Sequence, residues 1–205
     1  LNSGNMTTLN PPEEVELAEL LCELHPWASK VKYARTGGEA CTIAIRIARA
    51  YSEKTKIAFC GYHGWHDWYL SVNLGKTDSL DGHLLPGLQP NGVPEGLAET
   101  TIPFKYNDIE ALEKIFTDNK GDMAGIIMEP IRNEEPRAGF LEKVKELARK
   151  NNAVLIFDEI TAGWREITAG MHMKYGIEPD IAIFGKTISN GFPMAAIIGV
   201  VTVME

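Results

Sequence analysis

Three short, uninterrupted apolar runs dominate the second half of the chain: Val154–Phe157, Ile181–Phe184 and Ala195–Val201. Runs of this kind suit strands covered on both faces. The first stops abruptly at two carboxylates, Asp158 and Glu159, and the second at Gly185-Lys186. The link from the second run to the third is short and carries Gly, Pro and Asn. A parallel return needs a crossover of about a dozen residues or more, so the third strand is predicted antiparallel to the second. The connection from Asp158 to Ile181 is long enough for a crossover, so those two strands are predicted parallel. Asp158 and Lys186 then stand on one carboxyl edge of the sheet, where open α/β sheets bind ligands.

Upstream, strand and helix patterns alternate, with no repeat, linker or low-complexity segment. Val31–Ala34, Ile57–Cys60 and Ala124–Met128 read as further strands. Pro11-Pro12, followed by Glu13 and Glu14, opens a helix. Its apolar stripe is Val15, Leu17, Ala18, Leu20, Leu21 and Leu24, and His25-Pro26 ends it. Ala40, Ile43, Ala44, Ile47, Ala48 and Tyr51 mark a second helix, with Arg46 and Arg49 off the stripe. Asn107–Phe116 and the segment bearing Leu141, Val144, Leu147 and Ala148 give two more. Between Gly75 and Pro103 there is no clear period. A connection that long is usually functional or mobile, either covering the site or reaching a partner subunit.

The candidate chemistry lies at the strand ends. The second helix begins just after Thr36-Gly37-Gly38-Glu39, so its free N–H groups and dipole make an anion site, and the glycines let backbone approach a phosphate. Gly61-Tyr62-His63-Gly64 follows a strand and offers an aromatic platform. Trp65, Trp68 and Tyr69 pack a short helix or wall a pocket. His63, His66 and Asp67 are a ligand set of the catalytic-metal type, but no helical His pair or outside ligand completes it, and no metal site is predicted. An acid and an amine on one edge suit two cofactor classes. Gly185-Lys186-Thr187 looks like the end of a nucleotide-hydrolase phosphate loop. That loop needs glycine where Asp180 stands, and it normally precedes the acidic strand instead of following it. Pyridoxal phosphate uses a Schiff-base lysine and an acid that keeps the pyridine nitrogen protonated, the roles open to Lys186 and Asp158.

The segments DEITAGWR and PDIAIFGKTISNGFPMAAIIG resemble the class III (ω-type) aminotransferases, especially members like glutamate-1-semialdehyde aminomutase. The family pattern is roughly DEV-x-[ST]-G-[FW]-R, then PD-x-x-x-x-GK-x-[IL]-[GS]-x-G-x-P. The resemblance implies an α/β fold, the three-layer αβα large domain of type I (aspartate-aminotransferase-like) pyridoxal-phosphate enzymes, with a mostly parallel sheet and one antiparallel strand. It implies amino-group transfer between a small amino donor and an oxo acceptor, and a homodimer. It also implies roles: Lys186 as Schiff-base lysine and proton-moving base, and Asp158 as partner of the ring nitrogen. Tyr62 and Ile160 take the two ring faces, Gly37 and Gly38 the phosphate, and His63 a supporting place. Thr36-Gly37-Gly38-Glu39-Ala40 departs from the family's Ser-Gly-Thr-Glu-Ala at Gly38. A hydroxyl is missing there, which either weakens the phosphate site or hands the contact to a neighbouring group. After Glu129-Pro130 the sequence IRNEEPRAGF lacks the family's usual glycine. Glu134 and Arg132 are therefore either residues of a reshaped substrate pocket or ordinary surface charge.

Composition narrows the setting. The 205 residues are expected to form one cofactor-binding large domain over residues 1–205, lacking the family's N-terminal segment and C-terminal small domain. The alternative is a truncated cofactor-binding domain without turnover. A net charge of −8 argues against broad binding to nucleic acid or anionic membrane. Cys22, Cys41 and Cys60 are not in paired metal spacing and read as thiols of a reducing, cytoplasmic compartment. No apolar run reaches the roughly 18 residues of a membrane span.

Overall fold

The computed structural model describes residues 11–75, 79–83 and 87–205. Among the described residues seven strands build one sheet: β1 (Lys30–Ala34), β2 (Lys56–Cys60), β3 (Thr101–Pro103), β4 (Met123–Met128), β5 (Val154–Asp158), β6 (Ile181–Phe184) and β7 (Ala195–Gly199). Their order is β1-β7-β6-β5-β4-β2-β3. Only β7 is reversed: it pairs antiparallel with β6 and β1, whereas every other pair is parallel. The parallel β5–β6 pair and the reversed β7 both match the expectation from connection length. Every residue of β4 to β7 is buried. Two covered faces leave no polar side to alternate with, which is why these strands read as continuous apolar runs.

Helices cover both faces. On one lies α2 (Gly37–Ser52), with the short α7 (Val201–Met204) beside it. On the other lie α4 (Ile109–Asp118) and α5 (Phe140–Lys150), packed on Ile126, Leu155 and Phe157. A third cluster, with Leu21, Ala28 and Phe184, sits under α1 (Pro12–Leu24). The result is the expected three-layer αβα sandwich. Glycine at 125 is required by the neighbouring strand: a Cβ there would fall 2.8 Å from the Val154 carbonyl of β5, while on the helix side it would only touch Ala48 of α2, at 3.5 Å. Ala40, Ala44 and Ala48 carry the contact of α2 with the sheet, all fully buried.

Several expectations needed correction. The stripe on α1 is only partly used, since Leu21 is buried while Val15 and Leu20 are 50% and 47% exposed; the helix leans on the sheet along one edge. β7 stops at Gly199, because Val201–Met204 turns into α7 and folds back against it. Within the Gly75–Pro103 stretch, β3 adds an edge strand on β2, and Asn73 holds the described parts together through Leu80 and Leu88. Residues 76–78 and 84–86, on which a covering role would also depend, lie outside the described residues. The phosphate-loop alternative fails on topology. Four of its required loop residues, 181–184, form β6, and Asp180 is half-buried with its carboxylate accepting from the Leu155 amide at 2.8 Å.

The start of α2 is the best-defined helix end. Thr36 Oγ1 accepts from the Glu39 amide at 3.2 Å, and Glu39 Oε2 accepts from the amides of Thr36 and Arg35 at 2.9 and 3.0 Å. This capping box fixes where the free amides of the first turn point. Thr36→Ala is expected to lose about 1 kcal/mol in urea unfolding, with Thr36→Ser close to the parent. Equal stability of all three proteins would show that the box does not hold the turn.

Candidate active site

β5 and β6 deliver the two chemical groups. Asp158 ends β5 and is 3% exposed. Its Oδ1 accepts from the Ile160 amide at 3.0 Å, and its Oδ2 lies 2.7 Å from His63 Nδ1. His63 Nε2 faces the Cys60 carbonyl at 3.0 Å. A carbonyl can only accept, so Nε2 carries a proton, and a second proton lies between Nδ1 and Asp158. The buried acid is thereby matched to a proton on its neighbour, which a lone carboxylate in this position would lack. Cys41 completes the floor, its thiol donating toward Asp158 Oδ2 at 3.6 Å.

Lys186 follows β6 with a positive φ of 47°, a left-handed conformation that costs a side-chain-bearing residue roughly 1–2 kcal/mol. Such strain collects at functional sites. Its Nζ donates to Thr161 Oγ1 at 3.0 Å. Beyond it, Ser189 Oγ donates to the Phe192 carbonyl and closes the loop leading to β7. Between Asp158 and Lys186 runs the turn carrying Ile160. That side chain fits because two neighbours are glycines: a Cβ on Gly37 would fall 2.7 Å from Ile160 Cδ1, and one on Gly185 would fall 3.2 Å from Cγ2.

These pieces surround one cleft of about 610 Å³. Gly37, Gly38, Tyr62, His63, Asp158, Ile160 and Lys186 all line it, so every residue expected at the cofactor is brought together. Arg35, Thr161, His66 and Phe192 line it too and were not singled out for it. Glu134 is not in this cleft. It lines a neighbouring one of about 330 Å³ with Lys105, Arg132, Glu129 and Gly61. There Arg132 is ion-paired to the buried Glu129 at 2.7 Å, whose pKa is raised by burial and then by Asp158.

The second carboxylate at the end of β5 points the other way. Glu159 is fully buried, and its Oε1 accepts from the amide and Nδ1 of His172 at 2.8 Å each. Trp27 Nε1 donates to His172 Nε2 at 3.1 Å, which fixes the proton of that imidazole on Nδ1. His25, read as a simple helix end, is buried against the same cluster, stacked on His172 at 5.5 Å.

His63, His66 and Asp67 do not converge on a common point. The donors that do are those of Cys41, His63 and Asp158, within 4.8 Å of one another. Both nitrogens of His63 and both oxygens of Asp158 are already hydrogen-bonded. Burial, with Asp158 beside it, pushes the Cys41 thiol well up, so it stays protonated. A protonated thiol is a poor metal ligand.

A mostly parallel sheet with one reversed strand, bearing an acid and a lysine over a glycine-led helix N-terminus, defines the large-domain fold of aminotransferases. The chain belongs to the class-III aminotransferase family, whose model matches residues 2–205. It is similar to the 3-aminobutyryl-CoA aminotransferase of Cloacimonas acidaminovorans, 40% identical over 97% of this chain and 45% of that protein. It is likewise similar to the glutamate-1-semialdehyde 2,1-aminomutase of Ignicoccus hospitalis, 38% identical over 100% of this chain and 49% of that protein. Among solved structures, a transaminase with PLP bound superposes with a TM-score of 0.85 at 30% identity, over 99% of this chain and 48% of that one. The chain thus spans about half the length of these relatives.

The thiols give a direct check on the floor of the cleft. Burial raises Cys60 to about 12 and also pushes the Cys41 thiol well up, while Cys22 is only partly buried. Iodoacetamide at mildly alkaline pH is expected to label Cys22 in the native protein and all three cysteines after denaturation. Native labelling of Cys41 would mean that the floor under Asp158 is open.

Proposed function

We propose that this protein transfers amino groups with pyridoxal phosphate, between a small amino donor and an oxo acceptor. The observation that carries this reading is that Asp158, at the end of β5, and Lys186, just past the end of the parallel β6, line one cleft with the first turn of α2. The residues fit the cofactor part by part. Free amides at Gly37 and Gly38 suit a phosphate dianion, and a buried acid paired to an imidazole suits a protonated ring nitrogen. A lysine at the cleft suits an aldehyde. The cofactor, when bound, supplies a carbonyl that condenses with amines and a ring that accepts the electron pair left by proton loss.

Lys186 then has two duties. Its Nζ would hold the cofactor, and as a free amine it would remove and return a proton at substrate carbon. Thr161, 3.0 Å from Nζ, holds that amine in the cleft between duties. Asp158, hydrogen-bonded to His63 at 2.7 Å, favours positive charge on the ring nitrogen. Ile160 and Tyr62 take the two ring faces. Glu134 and Arg132, which line the adjoining cleft, take the part of a substrate that extends away from the amine.

We read residues 1–205 as the cofactor-binding large domain, working as part of a homodimer. Trp65 and Phe192 support the second copy: both line the cleft and are 69% and 62% exposed, and such aromatic surface at a cleft mouth marks a covered face. The three unpaired cysteines support a cytoplasmic setting. No helix among the described residues is long and apolar enough to cross a membrane. Named relatives carry out both transamination and amino-group migration, and a donor screen separates the two.

The test is single-turnover reaction of the cofactor-loaded protein with amino donors, followed by absorbance. The parent is expected to react, and Asp158→Asn to bind cofactor yet react about 10²-fold more slowly, as when one preorganised electrostatic partner is lost. An Asp158→Asn protein that reacts as fast as the parent would make Asp158 merely structural.

A further inference from the structure

The anion end of the cleft lacks a side-chain donor at 38, and the structure shows what occupies that space. A Cβ on Gly38 would fall 2.9 Å from His66 Cδ2 and 3.0 Å from its Nε2. A Cβ on Gly64, which has a φ of +93°, would fall 2.8 Å from Gly38 Cα. The turn between β2 and the short helix α3 (Asp67–Leu70) therefore lies directly against the first turn of α2. The imidazole of His66 fills the volume that a side chain at 38 would take, and it lines the same cleft as Gly37, Gly38 and Lys186.

The rest of His66 is anchored. Its carbonyl accepts from the amides of Tyr69 and Leu70 at 2.9 and 3.1 Å, so the residue is held at the start of α3. Its ring, by contrast, has only a tilted contact with Trp65 at 6.1 Å. Neither ring nitrogen makes a hydrogen bond among the described residues, whereas both nitrogens of His63 are engaged. The carboxylate on the first turn of α2 does not bond to it. Glu39 is turned onto the amides of Arg35 and Thr36, which hold its carboxyl below the usual range, with His66 adding to the effect.

We infer that His66 is a cofactor ligand, its Nε2–H donating to the phosphate group held at the N-terminus of α2, in place of a hydroxyl at position 38. An imidazole here has a free donor, and a hydrogen bond to an ionised acceptor is of the stronger kind. It adds a directed contact to the amides and dipole of α2, which alone attract an anion without fixing its orientation. The assignment rests on the pyridoxal-phosphate reading and deepens it.

The experiment compares dissociation constants of pyridoxamine 5′-phosphate and pyridoxamine by equilibrium dialysis, so that only the phosphate differs and no covalent bond is involved. In His66→Ala the phosphorylated ligand is expected to bind about tenfold more weakly, with pyridoxamine unchanged. His66→Gln, which keeps an N–H donor of similar reach, is expected to fall between, and it carries the test where alanine unfolds the turn. A ratio equal to the parent's in both variants overturns the assignment. An equal loss for both ligands also overturns it, since that marks a structural role. A parent protein that binds the two ligands alike defeats the cofactor reading itself, independently of His66.

Discussion

A carboxylate buried at the end of a central strand is the constraint on which the site depends. Asp158 is almost wholly out of water, and a carboxylate left without partners there would be costly. Three neighbours prevent that: the Ile160 amide, the Cys41 thiol and above all His63. His63 can share its proton only because the Cys60 carbonyl binds its other nitrogen. The turn after β2 must therefore lie where it does, which sets Tyr62 over the cleft and His66 against α2. The turn after β5 is bound from the other side, since the amide of Ile160 is a ligand of Asp158. Through that contact the apolar residue expected against a ring is tied to the acid expected at the ring nitrogen.

Glu159 braces the same turn from behind. Successive residues of a strand face opposite sides of the sheet, so the two adjacent acids meet different surroundings. Asp158 continues the face of Val154 and Ile156 toward α2, while Glu159 meets His172. Trp27, on the segment after α1, fixes the tautomer of that histidine. The segment leading into β1 is thus connected to the end of β5 by hydrogen bonds. A Cβ on Gly170 would fall 2.7 Å from Glu159 Oε1 and 2.6 Å from His172 Nδ1, so glycine there is required by the brace.

Much of this was legible in the chain because it rests on local pattern. The runs 154–157 and 181–184 are strands since both faces are covered, and link length gave their directions. Thr36 to Ala40 could be read as an anion site because a helix stripe starting at Ala40 leaves its amides beside the glycines. What escaped was short or non-local. β3 is a three-residue edge strand that includes Pro103, and α6 (Met171–Tyr175) has five residues, too few to show a period. The thiol of Cys41 meets Asp158 across 117 residues of sequence, and His66 meets Gly38 only because two turns converge. Glu134, expected either in a reshaped substrate pocket or as surface charge, lines the cleft adjoining that of Lys186, a division between two clefts that no sequence spacing shows.

The central claim is that Lys186, at the end of β6 and beside the strand that carries Asp158, holds the cofactor. Borohydride reduction of the protein with pyridoxal phosphate, followed by proteolysis and peptide mapping, measures this directly. The account predicts a single pyridoxyl group, on Lys186. A pyridoxyl group on Lys174, Lys105 or any other lysine, with Lys186 unmodified, would contradict it.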